Sequence, residues 1–188
     1  MEDIENFKGY LLAAHPKRAD SILKKGVVLI IDHDISGAIG LQINKPLENS
    51  TSLGTIMSNM GLPLKDDDSV YFGGPENTNR IIVLHSLDWS SSTTTKIGEN
   101  FGISNDISVL AAISQGKGPD LFRAIAGYVR WPPGHLENEI DMLPPWDDIS
   151  KSWQIKEAEI DDIFSVDKSD QWHYILDQSA KQQISTWF

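Results

Sequence analysis

The chain has 188 residues and a formal net charge of −11, and 40% of its residues are hydrophobic. This length is typical of one domain with a sizeable buried core, so we expect a single domain over residues 1–188. The sequence contains no cysteine, which excludes disulfides, thiolate metal sites and cysteine nucleophiles. The excess of acids argues against a general nucleic-acid binder, because the phosphate backbone repels an acidic surface.

Neither a targeting segment nor a membrane span is predicted. Residues 1–5 carry acids where a secretory signal carries bases. The most apolar run, 27–31, is far shorter than the ~20 residues that cross a bilayer. We therefore expect a cytoplasmic protein with no membrane partner.

In chain order, short apolar runs separated by turn residues predict many strands. The run at 26–31 is β-branched, and turn-forming Asp, Ser and Gly residues connect it to 38–43, which predicts a hairpin. The other predicted strands are 9–14, 70–72, 80–85, an irregular strand within 96–103, and a central strand at 121–131. A turn is expected at the Gly-Gly-Pro of 73–75, and a loop at 87–96.

Helices are predicted where apolar residues recur at three- and four-residue spacing. Pro16 and Gly26 bound a short helix whose buried side holds Ile22 and Leu23. Ser104 is expected to cap another helix, which buries Ile107, Leu110, Ala111 and Ser114. The remaining predicted helices are 52–60, 135–142, 160–164 and 170–184, the last with Trp172, Ile175, Leu176, Ser179 and Ala180 on one face.

The charge is unevenly distributed along the chain. Residues 132–188 hold 12 acids and 4 bases, whereas residues 1–131 hold 15 acids and 12 bases. Tryptophans interrupt the acidic stretch, namely Trp146, Trp153, Trp172 and Trp187. We therefore expect an ordered acidic outer layer there instead of a disordered tail.

Two clusters contain residue types that are used in catalysis. The Asp-His-Asp of 32–34 offers metal-ligand types, but alternation along a strand points the histidine away from the carboxylates, which favours turn capping. His85, Ser86 and Asp88 have the residue types of a hydrolase triad. A triad is defined by three-dimensional geometry, however, and the chain has no G-x-S-x-G elbow. We predict no catalytic residue and no metal site.

Three further features have structural interpretations. The Gly-Lys-Gly of 116–118 lacks the spacing of a phosphate-binding loop, so no cofactor is predicted. Glu137 is expected to form a structural ion pair with Arg130 or Arg123. Trp131, which two prolines follow, either covers the core or anchors a partner, and the core role is favoured.

Ordered blocks along most of the chain resemble the YqgE/AlgH family of bacterial proteins. The matching stretches include GYLLA at 9–13, GAIGLQINKP at 37–46, YFGGP at 71–75, LHS at 84–86, SNDI at 104–107, GKGP at 116–119 and GHLENEI at 134–140. Each block alone is weak, but their collinear order is specific. Three departures cluster together: His135 replaces the usual Gln, residues 129–130 separate Tyr128 from Trp131, and 142–151 contains extra residues.

The resemblance implies an α+β fold, a single domain with a strongly curved, barrel-like β-sheet and flanking helices. It also implies a link to transcriptional regulation, and it supplies no catalytic residue because the family has no established reaction. If the sheet is strongly curved, turns at strand ends meet on one face. Asn44, Lys45, His85, Trp131 and Glu137 are then expected to line one polar pocket.

Three functions remain open at this point. The favoured one is a non-enzymatic regulatory or interaction protein that acts through an unknown protein partner. The alternative is a small-molecule-binding protein or an unrecognised hydrolase that uses the polar pocket. Direct nucleic-acid binding is disfavoured, because no DNA-binding motif accompanies the bases Lys17, Arg18, Lys24 and Lys25.

Overall fold

Nine strands and five α-helices lie within the residues that the computed structural model describes, which are 6–20, 22–47, 52–64, 69–145 and 147–185, with side chains as far as Gln182. The strands are β1 (Tyr10–Ala14), β2 (Val27–Asp34), β3 (Gly37–Gln42), β4 (Tyr71–Phe72), β5 (Glu76–Ser86), β6 (Thr95–Ile97), β7 (Phe101–Ser104), β8 (Phe122–Trp131) and β9 (Trp153–Glu157). The helices are α1 (Leu53–Asn59), α2 (Ile107–Ser114), α3 (His135–Asp141), α4 (Ile160–Phe164) and α5 (Gln171–Ser185).

The strands form one sheet in the order β6-β7-β5-β8-β3-β2-β1-β9, and β4 pairs with β8 outside this path. Neighbours in the path are antiparallel, whereas β4 is parallel to β8. Ile97 and Phe101, near one end of this order, pack in the same core as Leu11 of β1, near the other end. Strands that are far apart in the sheet share a core only if the sheet curls. The structure therefore confirms the predicted α+β fold with a strongly curved sheet.

Strand residues alternate between the two faces of the curl. Val27 and Leu29 of β2 pack inside it, where α4 and α5 close the core. Val28 and Ile30 pack outside it, against α3 and Trp153. A third core lies between α1, α2 and the strands β5 and β8. Helices therefore cover both faces, as predicted.

The chain crosses over β8 between β4 and β5. Both strands pair with residues 125–126 of β8, so they occupy opposite edges of it. At the crossing, a Cβ on Gly73 would lie 2.1 Å from the carbonyl oxygen of Gly127. Gly127 itself has a φ of +77°, which side chains rarely adopt. The expected turn at 73–75 is thus part of a close backbone crossing that requires glycine.

The predicted helix between Pro16 and Gly26 is absent from the described residues of that segment. Turns take its place, and the Oδ1 of Asp20 accepts a hydrogen bond of 2.7 Å from the backbone N–H of Leu23. Further along, the irregular strand expected within 96–103 is a hairpin of β6 and β7. The strand β9 was not predicted at all.

Helix α2 forms where expected, but its cap and its buried face differ from the prediction. The cap is Asp106, whose side chain accepts a hydrogen bond from the backbone N–H of Ser108. Ser104 ends β7 instead. Ile107 is 59% exposed, whereas Val109 is 1% exposed. The helix is therefore rotated relative to the predicted face.

Candidate functional site

The five residues predicted to share a polar pocket lie in three separate places. Asn44 and Lys45, just after β3, line one depression. His85 is fully buried near the end of β5. Trp131 and Glu137 lie near the far end of β8 and in α3. Because β8 runs antiparallel to both β3 and β5, its last residues are at the opposite end of the sheet, and the expected single pocket does not form.

The depression that Asn44 and Lys45 line is rich in bases. It has a volume of about 790 Å³, and its basic lining residues are Lys24, Lys25, Lys45, Lys168 and His173. Among the described residues, none that line it is Asp or Glu. We call it the basic depression. In a chain with a net charge of −11, four lysines around one concavity reverse the local potential and attract anions.

Asn44 holds the backbone of the turn that carries two of these lysines. Its Oδ1 accepts a hydrogen bond of 2.9 Å from the N–H of Val27, and its Nδ2 donates one of 2.8 Å to the carbonyl of Lys25. Lys25 has a φ of +54°, a left-handed conformation that costs a non-glycine residue energy and needs support from its surroundings. Asn44 thus has a positioning role at the depression.

The ammonium of Lys45 is partly withdrawn from water. Its Nζ donates a hydrogen bond of 2.7 Å to the carbonyl of Ile22. Burial lowers the pKa of Lys45, and the nearby carboxylate of Asp20 opposes this effect. Asp20 also accepts a hydrogen bond of 2.6 Å from Nε of Arg18. An anion in the depression would compensate the lost hydration of Lys45.

Aromatic side chains form one wall of the basic depression. Trp172, in the first turn of α5, is anchored by a hydrogen bond of 2.8 Å from its Nε1 to the carbonyl of Ala14. The exposed ring of His173 contacts it edge to face, with 4.6 Å between centroids. Nζ of Lys25 lies 5.5 Å from the centroid of the Trp172 ring. Phe72 of β4 completes the wall. The other two members, Trp172 and His173, lie at the packed N-terminal end of the long helix α5.

A second cavity of about 420 Å³ adjoins the basic depression, because Lys168 lines both. Arg123 forms part of its wall and is only 8% exposed. The guanidinium donates hydrogen bonds to the carbonyls of Ile43 and Ile163, at 2.7 and 2.6 Å. Burial lowers the pKa of Arg123, although Tyr71 and Asp167 oppose the effect. Among the described residues, Arg123 forms no ion pair.

Glu137 pairs with His33, and the predicted pairing with Arg130 or Arg123 is wrong. Nδ1 of His33 accepts a hydrogen bond of 3.1 Å from the backbone N–H of Phe7. In the neutral ring, Nε2 therefore carries the proton. Nε2 then donates to Oε1 of Glu137 at 3.1 Å. The side chain of His33 is fully buried and stacks on Phe7. This pair ties the N-terminal segment to α3, which is a structural role.

Trp131 covers the outer core. It is 5% exposed and packs edge to face on Trp153, with 6.2 Å between ring centroids. This burial matches the favoured core role and leaves little of the ring for a partner.

His85 pairs with a serine, but with Ser104 in place of the neighbouring Ser86. Its Nε2 lies 3.0 Å from Oγ of Ser104, and its Nδ1 lies 2.8 Å from the carbonyl oxygen of Ser86. The hydroxyl of Ser86 donates to Asp88 instead. Because His85 is 0% exposed and Ser104 is 1% exposed, a substrate cannot reach the hydroxyl of Ser104. His85, Ser86 and Asp88, which have the residue types of a triad, do not form a working one.

Within the described ranges, no group of three or more His, Cys, Asp or Glu side chains is placed to hold a metal ion. Nor does any helix in those ranges have both the length and the apolar character needed to cross a bilayer.

Sequence reasoning missed half of the basic depression. Lys24 and Lys25 were recognised as neighbouring bases, but Lys168 and His173 were not connected with them. More than 140 residues separate the two groups, and only the packing of α5 against β1 and β2 joins them. The signals that the sequence offers are the two adjacent bases before β2 and the strand-end residues Asn44 and Lys45.

Comparison with known proteins identifies the family. A family model described as AlgH-like matches residues 11–183. The chain belongs to the AlgH-like family. A UPF0301 protein of Methylococcus capsulatus is 32% identical over 170 residues, which cover 89% of this chain and 88% of the relative. A UPF0301 protein of Sphingopyxis alaskensis is 36% identical over 138 residues, covering 71% of this chain and 72% of that one.

Solved structures share the fold of this AlgH-like chain. The solution structure of AlgH from Pseudomonas aeruginosa superposes with a TM-score of 0.70 at 26% identity, covering 93% of this chain and 90% of that one. A crystal structure of a Corynebacterium diphtheriae protein has a TM-score of 0.66 at 20% identity, with 92% and 86% coverage, and shows similarity of fold alone. The resemblance stated from the sequence blocks is therefore confirmed.

Proposed function

We propose that this AlgH-like chain is a cytoplasmic, non-enzymatic regulatory protein, linked to transcriptional regulation, that acts by binding. The observation that supports this function is the basic depression. Four lysines and a histidine from separate chain segments surround one concavity of about 790 Å³. Side chains that converge on a concave surface are typical of a recognition site.

The chemistry of the basic depression is suited to binding. Ammonium groups neutralise an anion from several directions, because each is a compact charge with three rotatable donors. The aromatic wall offers an apolar surface for the rest of a ligand. Asn44 holds the turn of Lys25, and Trp172 anchors α5. Two of the backbone segments that line the depression are therefore fixed before a ligand arrives, which reduces the entropic cost of binding.

Regulation through a protein partner is favoured over direct DNA binding. The chain as a whole carries a net charge of −11, which repels a long polyanion outside the depression. A local basic depression in a chain with this net charge suits a compact anionic group instead. We place the partner contact around the rim of the basic depression.

Replacement of lysines in cells tests this proposal. In the organism that carries the protein, the triple variant K24Q/K25Q/K168Q is compared with wild type, a deletion strain and K96Q/K117Q/K181Q. The control removes equal charge from lysines that do not line the depression. Transcript profiles of the triple variant are expected to match the deletion, and those of the control to match wild type. A folded triple variant with a wild-type profile would show that the depression is not the regulatory site.

A second candidate, an unrecognised hydrolase, rests on the contact between Ser104 and His85. The imidazole is oriented by a carbonyl and faces a hydroxyl at 3.0 Å, as in serine hydrolases. Because both groups are buried, we expect no labelling of Ser104 by a fluorophosphonate probe on the native protein. Stoichiometric labelling that is lost in Ser104→Ala would favour the hydrolase.

A further inference from the structure

The cations of the basic depression extend beyond it. Lys168 belongs to the lining of both the 790 Å³ depression and the 420 Å³ cavity next to it. Arg123 adds a buried guanidinium in the wall of the second cavity. Its Nη1 donates hydrogen bonds to oxygens of Ile43 and Gln171, and its Nη2 donates one to the carbonyl of Ile163. Arg123 therefore contributes mainly positive potential, and the ammonium groups of the lining lysines add to it.

The lysines that line the depression come from three separate chain segments. Lys24 and Lys25 come from the turn before β2, Lys45 from the end of β3, and Lys168 from the segment before α5. A planar carboxylate accepts hydrogen bonds mainly within its own plane, whereas phosphate oxygens point in three directions. Converging ammonium groups therefore match phosphate better than carboxylate.

The surroundings limit the size of the ligand. The depression lies within the range of about 300–1,000 Å³ that holds small molecules. Asp20 interacts electrostatically with Lys45, and Asp167 with Arg123, and the chain as a whole carries a net charge of −11. A short, dense anion gains from the lysines, whereas an extended polymer would be repelled by the net negative charge of the chain.

We infer that the basic depression binds a small ligand through a polyphosphate group, which the lysines at 24, 25, 45 and 168 surround. This inference rests on the proposed function, because it names the ligand class of that same site. A ring attached to the phosphates would pack on the half-buried Phe72 and the exposed His173 of the aromatic wall, because Trp172 is only 6% exposed. The polyphosphate has two possible sources, a nucleoside polyphosphate or an inorganic chain.

Calorimetric titration of the full-length protein tests the inference. The probes are inorganic tripolyphosphate, a nucleoside triphosphate and citrate, at equal ionic strength and with EDTA present. Tripolyphosphate is expected to bind more tightly than citrate, and K24Q/K25Q/K168Q to weaken it by about tenfold or more, because charge-assisted hydrogen bonds are lost. The control K96Q/K117Q/K181Q is expected to stay within about twofold of wild type.

The outcomes separate the possible sources and the two proposals. Tighter binding of the nucleoside triphosphate than of tripolyphosphate assigns a role to the aromatic wall, and equal binding indicates an inorganic chain. Equal affinity for citrate and tripolyphosphate, or an unchanged triple variant, would overturn the inference. If tripolyphosphate fails to bind but the triple variant still loses regulation in cells, only the ligand assignment is wrong. If tripolyphosphate binds in the depression but regulation is unaffected, only the regulatory role is wrong.

Discussion

Replacement of Asn44 by alanine is expected to destabilise the protein and to release the turn that carries Lys25. Asn44 is 8% exposed and Val27 is 0% exposed, so Asn44→Ala leaves the N–H of Val27 buried without its acceptor. Such an orphaned donor costs about 1–3 kcal/mol, and the lost bond to the carbonyl of Lys25 costs about 0.5–1.5 kcal/mol. We expect a total loss of about 1.5–4.5 kcal/mol.

Urea denaturation followed by circular dichroism measures this loss, and a thermal melt is expected to shift by about 5–15 °C in a chain of this size. Asn44→Asp is the comparison variant, because it keeps an acceptor for the N–H of Val27 while a carboxylate oxygen replaces the donor that faces the carbonyl of Lys25. Its stability is expected to lie between those of wild type and Asn44→Ala. If Asn44→Ala stays within about 0.5 kcal/mol of wild type, the positioning role assigned to Asn44 is wrong.

Three other predictions concern the scaffold. Glu137→Ala orphans the buried Nε2–H of His33 and is expected to cost about 1–3 kcal/mol in urea denaturation, whereas Glu137→Gln keeps an acceptor and costs less; equal losses would refute the pairing. Gly127→Ala places a Cβ 2.3 Å from the carbonyl oxygen of Gly74 and is expected to lower stability by more than about 3 kcal/mol. Gly116→Ala is the control, because Gly116 also has a positive φ but nothing lies within 4 Å of its Cβ. It is expected to cost only about 1–2 kcal/mol in thermal melts. A similar loss in Gly127→Ala and Gly116→Ala would show that the backbone crossing at Gly127 is not tight. Hydrogen bonds from Ser108, first its hydroxyl and then its N–H, hold the pKa of Asp106 below its ordinary value of 3.8. A pKa that is lower in the folded state than in the unfolded state stabilises the protein fully above the unfolded pKa, and this stabilisation is lost as pH falls through the folded pKa. Stability is therefore expected to decline below about pH 4, and Asp106→Ala is expected to flatten that decline. A pH profile that Asp106→Ala leaves unchanged would contradict this assignment.

The strands that lie deep in the fold were the part most accessible from sequence. The hairpin of β2 and β3 and the long strand β8 are apolar on both faces, because cores lie on both sides of the sheet. Continuous apolar runs of this kind identify buried strands. By contrast, β9 has five residues of mixed polarity and pairs only with β1 at the sheet edge, so its pattern carries little signal.

Local hydrogen bonds explain the elements that sequence reasoning placed wrongly. The segment before Gly26 has the spacing of a helix, but Asp20 caps a turn at Leu23 and Asn44 holds the carbonyl of Lys25. Similarly, α2 is capped by Asp106, whose carboxylate accepts a hydrogen bond from the N–H of Ser108, and not by Ser104. Propensity alone does not reveal which of two possible capping residues the tertiary structure uses.

The candidate site was only partly predictable because its members are distant along the chain. Asn44 and Lys45 follow a strand and were selected as strand-end polar residues. Lys168 and His173 gain their relation to these residues from the docking of α5 inside the curl. His85 and Glu137 were selected by the same reasoning, but the antiparallel course of β8 and the burial of β5 separate them from the depression.

The location of ligand binding tests the central claim most directly. Backbone amide resonances of the isotopically labelled protein are followed by NMR as tripolyphosphate is added. We predict that the largest saturable shifts occur at Lys25, Lys45, Ser169 and His173, with none at Lys96 on the far edge strand β6. Saturable shifts centred elsewhere, for example around Glu137, or no saturable shift at all, would contradict it.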